Sequence, residues 1–91
     1  MRETAEARRK RMLMRSWRRG TREMDLILGP WADAHLAGLG PDDLATYEVL
    51  LAENDQDLMA WILGPSAAPA GIAPLLERIA AFARTRLQRL V

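Results

Sequence analysis

The sequence predicts an all-α protein, a single small bundle of about five helices, and three observations carry that expectation. Apolar residues recur at i, i+3, i+4 and i+7 in several stretches, and none shows the period of two that a half-buried strand requires. Glycine and proline cluster at Gly38-Leu39-Gly40-Pro41 and again between Gly64 and Gly71, where helices of ordinary length would stop. Ninety-one residues leave room for one modest core, so residues 1–91 read as one helical domain, with residues 1–7 expected to fray.

The first helix is expected over residues 3–18. Glu3 and Glu6 stand at its start and arginines at its end, as the helix dipole prefers. Ala5, Met12, Leu13 and Trp17 offer it a thin apolar face, and Arg8, Arg11, Arg15 and Arg18 or Arg19 a basic stripe, read first as a solvated face. A second helix begins near Gly20 or Thr21 and buries Met24, Ile27, Leu28 and Trp31, with His35 on the inner edge as a partly buried structural histidine. Pro30 cannot donate to the carbonyl of Leu26, so with Gly29 it is expected to kink or break this helix.

Pro41 suits the first position of a third helix, about 41–53, which buries Leu44, Tyr47, Leu50 and Leu51. Asn54 or Asp55 caps a short fourth helix, about 55–63, with Leu58, Trp61 and Ile62 inward and Gly64-Pro65 as its stop. A loop rich in Ala and Pro leads to the fifth helix, about 72–90, whose stripe runs Ile72, Leu75, Leu76, Ile79, Ala80, Ala83, Leu87 and Leu90.

Composition closes off several function classes. Without cysteine there is no disulfide, thiol catalysis or thiolate metal site, and a single histidine argues against a His-based metal site or a Ser-His-Asp triad. Phosphate-binding glycine loops, HExxH and a nucleophile elbow are missing, and the paired acids Asp42/Asp43 and Asp55/Asp57 sit at helix starts, where capping explains them. Leu58–Leu76 is uncharged and long enough to span a bilayer, but Gly64, Pro65, Pro69, Gly71 and Pro74 interrupt it. Glu3 and Glu6 count against a transit peptide, and no secretory apolar run follows the basic residues. The expectation is a cytoplasmic, non-enzymatic protein without membrane insertion.

Charge is distributed in blocks. Residues 1–22 hold nine Lys/Arg and two acids, residues 23–63 nine acids and no Lys/Arg, and residues 64–91 four Arg and one acid. Such blocks are expected to act on association more than on fold. The inversion falls at Gly20, between Arg15, Arg18 and Arg19 on one side and Glu23 and Asp25 on the other. A helix junction accounts for the glycine, but not for the charges flanking it, which suit directional, charge-assisted hydrogen bonds. The stretch therefore reads as a docking edge. Its rival is the run Arg8-Arg9-Lys10-Arg11, which would serve a small nucleic-acid-binding regulator. The acidic 23–63 block argues against a groove-reading helix there, so no nucleic acid is expected.

Trp17-Arg18-Arg19-Gly20-Thr21-Arg22-Glu23-Met24-Asp25 closely resembles the signature of the succinate dehydrogenase assembly (flavinylation) factors, with its Arg-Gly-x-x-Glu centre. Leu50-Leu51 and the run from Asn54 to Ile62 resemble that family's second segment, with Gln56 where proline is usual and Ile62 where leucine is usual. The resemblance covers roughly residues 8–90. It implies a five-helix bundle that binds the flavoprotein subunit of succinate dehydrogenase, or of fumarate reductase, and promotes covalent attachment of FAD to a histidine of that subunit. It implies no cofactor of the factor's own, since the FAD is held by the partner. Arg19, Gly20 and Glu23 carry over as partner contacts, with Arg15, Trp17, Arg18 and Asp25 as neighbours on the same surface.

Overall fold

A computed structural model describes residues 3–89, and for residues 87–89 the backbone alone. Five helices follow one another: α1 (Ala5–Trp17), α2 (Arg22–His35), α3 (Pro41–Leu51), α4 (Asp55–Ile62) and α5 (Ala73–Arg89), with a 3-10 turn at Leu36–Gly38 after α2. Four of the five starts have a local cause. The Thr4 hydroxyl accepts from the Ala7 amide at 3.0 Å, Thr21 accepts from Met24 at 3.4 Å, and Asn54 accepts from Asp57 at 2.9 Å. Pro41 opens α3, with Asp42 and Asp43 in its first turn. No helix among the described residues is long and apolar enough to cross a membrane.

The stripes expected of α2 to α5 meet in one core. Met24, Leu28, Tyr47, Leu50, Leu58 and Ile79 are all fully buried, and the Trp31 and Tyr47 rings pack tilted at 45°, 4.9 Å between centroids. Leu90 and the side chain of Leu87, both assigned to the α5 stripe, lie outside the described residues. The face of α1 departs from expectation: Ala5 is exposed and Trp17 is 39% exposed, while Met12 and Ser16 are buried. Ser16 is tolerated there because its hydroxyl donates to the Met12 carbonyl at 2.8 Å. That uses its one proton, so in the 2.6 Å contact between the two hydroxyls Tyr47 is the donor. Burial pushes the Tyr47 phenol up to about 12.

Three further expectations are corrected. Pro30 does not break α2, which is continuous from Arg22 to His35. The carbonyl of Leu26, which Pro30 leaves without its helical donor, accepts instead from Arg86 Nη1 of α5 at 3.1 Å. His35 is exposed rather than partly buried. Its ring only edges the core, lying 5.4 Å from Trp31 and 5.3 Å from Phe82 between centroids. The basic stripe of α1 is not a solvated face either. Arg8 and Arg11 both grip Glu48 of α3, at 2.8 and 2.5 Å, and Arg11 also pairs with Glu3 at 2.8 Å. The basic first block and acidic middle block thus pair within the chain and help hold α1 on α3.

This network makes stability depend on acid. Hydrogen bonds from Arg11 first, then Arg8, hold the Glu48 carboxyl below its ordinary range. The folded state therefore binds the Glu48 proton less readily than the unfolded chain. Its contribution is present above an unfolded pKa of about 4.3 and is lost as pH falls through the lower folded value. With these side chains 31–39% exposed, solvent screening limits it to about 1 kcal/mol or less. Denaturant midpoints should stay level from pH 7 to pH 5 and decline below about pH 4. Glu48→Gln should have a shallower decline, and an unchanged acid slope in that variant would contradict the assignment.

Candidate functional site

The junction between α1 and α2 is built around Gly20, whose φ of +100° is the only positive value among the described residues. That backbone angle, which side-chain-bearing residues rarely adopt, explains the glycine. Crowding does not: a Cβ there would find only Asp55 Oδ2, at 3.9 Å. The outer side of Gly20 is open.

Hydrogen bonds pin both flanks of the glycine. The Arg19 amide donates to Asp25 Oδ1 at 2.7 Å. The Arg19 side chain turns inward, 8% exposed, and donates to Asp55 Oδ1 at 2.9 Å and to the carbonyls of Leu51 and Glu53 at 2.5 Å each. Arg15 Nη2 reaches the same Leu51 carbonyl at 3.1 Å. Two guanidinium groups thereby satisfy carbonyls left over where α3 ends, the negative end of its dipole. On the other flank the Thr21 hydroxyl donates to Asp55 Oδ2 at 3.3 Å.

Trp17 completes the junction. Its ring lies directly on Gly29 of α2, so that a Cβ added at Gly29 would fall 2.4–2.6 Å from three ring atoms. Its indole Nε1 donates to Asp33 Oδ1 at 3.2 Å. The seven residues picked from sequence therefore split. Arg15, Arg19 and Asp25 direct hydrogen bonds into the junction, whereas Gly20, Arg18 and Glu23 face solvent, with Trp17 straddling the two. The side chains of Arg18 and Glu23 have no hydrogen-bond or ion-pair partner among the described residues.

One turn beyond Gly20, Glu23 lines an apolar groove of about 510 Å³ between α2, α4 and α5. Leu26, Ile27, Met59, Ile62 and Leu63 form much of its wall, and Leu26 and Leu63 are 49% and 62% exposed. Sequence reasoning missed the groove, and it missed the parts played by Asp55, Gly29 and Asp33. Asp55 was explicable as a helix-start residue, which hid its second job. The opposed charge blocks were the available signal.

The junction thus presents an open glycine face beside an apolar groove. No group of three potential metal ligands occurs among the described residues. Residues 10–83 match the family described as flavinator of succinate dehydrogenase, and the chain belongs to that family. It is similar to the FAD assembly factor SdhE of Acetobacter pasteurianus, 32% identical over 88% of this chain and 74% of that protein. It is also similar to the mitochondrial succinate dehydrogenase assembly factor 2 of Penicillium rubens, 38% identical over 79% of this chain but 23% of that protein. The corresponding protein of Dictyostelium discoideum is 38% identical over 67% of this chain and 43% of its own length. The chain thus spans less than half of these mitochondrial relatives.

Proposed function

We propose that this chain is an assembly factor that binds the flavoprotein subunit of succinate dehydrogenase and promotes covalent attachment of FAD to it. The open face of Gly20, with the exposed Glu23 one turn away, is the observation that carries the proposal. The factor performs no bond chemistry and brings no cofactor: the FAD and the histidine that receives it belong to the partner. Its work is differential binding. A ligand favours whichever conformation of its partner it binds more tightly, and a well-oriented pair of reactants can gain about 7–11 kcal/mol over a loosely held one. Fumarate reductase, whose flavoprotein poses the same task, is a second substrate in this proposal. A cytoplasmic setting accords with the cysteine-free composition.

The contact surface extends from Gly20 across Glu23 into the apolar groove, with the flavoprotein as its occupant. Leu26 lies outside the core, so Leu26→Glu should leave the melting temperature within a few degrees of the unchanged chain. It should weaken flavoprotein binding at least tenfold. Unchanged affinity by titration calorimetry would remove the groove from the interface.

The nucleic-acid alternative loses most of its basic run: Arg8 and Arg11 pair with Glu48 and Arg9 donates to the Leu39 carbonyl, which leaves Lys10 exposed. Arg8, Arg11, Arg15 and Arg19 are all engaged with acids or carbonyls of this chain. Phosphate contacts weaken steeply with salt, so a gel shift at low ionic strength decides between the two. Co-purification with a flavoprotein subunit and no salt-sensitive DNA complex is the expected pair of results.

A further inference from the structure

We propose that Asp55 is a positioning residue of the docking surface: with Arg19 it locks the backbone at Gly20, and neither side chain touches the partner. The inference rests on the proposal that this chain docks on a flavoprotein subunit, and it reassigns Arg19 from contact to lock.

The hydrogen bonds carry it. Asp55 uses one carboxylate oxygen for Arg19 and the other for Thr21, so a single side chain of α4 holds the residues on both sides of Gly20. Asp25 holds the same point from α2 through the Arg19 amide. The Arg19 and Asp55 side chains are 8% and 14% exposed, which leaves little of either for a partner to touch. The guanidinium already gives one hydrogen bond from each of its three nitrogens. Gly20, by contrast, is exposed, and its backbone takes a shape that the clamp on either side fixes. Preorganisation of this kind lowers the ordering cost of association, so its loss should register as affinity.

The test uses the full chain with Asp55→Asn, Arg19→Lys and the double variant. Each single variant should bind the isolated flavoprotein subunit at least tenfold more weakly. The loss should also appear as a higher factor concentration needed for half-maximal FAD attachment. Because the two side chains act as one unit, the double variant should bind no more weakly than the weaker single. In the free variants, hydrogen exchange at the Arg19 and Met24 amides, both hydrogen-bonded at the junction, should accelerate while the Ile79 amide in the core stays protected.

Unaltered affinity in Asp55→Asn would overturn the proposal, as would losses that multiply in the double variant, since Arg19 would then meet the partner itself. Global unfolding of both single variants would overturn it too, because the pair would then serve the fold. Should the unchanged chain not bind the subunit at all, the docking proposal fails. Amide exchange in the free chain would still decide the lock separately.

Discussion

Gly20→Arg should abolish covalent FAD attachment to the flavoprotein subunit while leaving a folded bundle. A residue with a Cβ at a positive φ costs about 1–2 kcal/mol, which a small domain with about 5–15 kcal/mol of stability can bear. The space outside Gly20 accepts the new side chain without an internal clash, because the nearest atom to a Cβ is 3.9 Å away. The same openness turns the arginine onto the docking face, where a long charged side chain holds the partner off. Gly20→Ala separates the two effects: it should share the loss of stability but keep measurable attachment. In-gel flavin fluorescence of the partner subunit and a circular-dichroism melt of each variant make the comparison. Normal attachment with Gly20→Arg would contradict a docking role for this face.

The second large effect is on stability, at Gly29. Glycine inside a helix is normally improved by alanine, by about 1 kcal/mol. Here the sign should reverse, because the new methyl would sit 2.4–2.6 Å from atoms of the Trp17 ring. Either the ring swings out, losing its packing and its bond to Asp33, or the α1–α2 packing opens. Overpacking of this kind costs about 1–3 kcal/mol, and each kcal/mol lowers the melting temperature of a domain this size by about 4–8 °C. Thermal denaturation of Gly29→Ala should therefore show a clear drop, and Trp17→Ala in the same chain should relieve the clash. A rise in melting temperature for the single variant would show that Trp17 does not rest on Gly29.

What could be read in sequence was whatever depends on near neighbours. The stripe Leu44, Tyr47, Leu50, Leu51 and the Asn54 cap each follow from residues within a turn or two, and the structure has them as expected. The failures depend on distant groups. Pro30 looked like a helix breaker because nothing nearby replaces its missing donor, yet Arg86, sixty positions from Leu26, supplies one. The arginines of α1 looked solvated because Glu48 and the Leu51 carbonyl lie 36–40 positions away. Gly20 was legible as a junction, and its flanking charges as directional bonds. Which of those charges face inward was not, since periodicity says nothing about where a four-residue connection directs its side chains.

The central claim is that this chain speeds covalent FAD attachment by docking on the flavoprotein subunit. Its most direct test is a time course in which purified subunit and FAD are mixed with or without the factor, and covalent flavin is read by fluorescence after denaturing electrophoresis. The factor should accelerate attachment by at least tenfold, and Gly20→Arg at the same concentration should return the rate to the unassisted level. Equal rates with and without the factor would contradict the account.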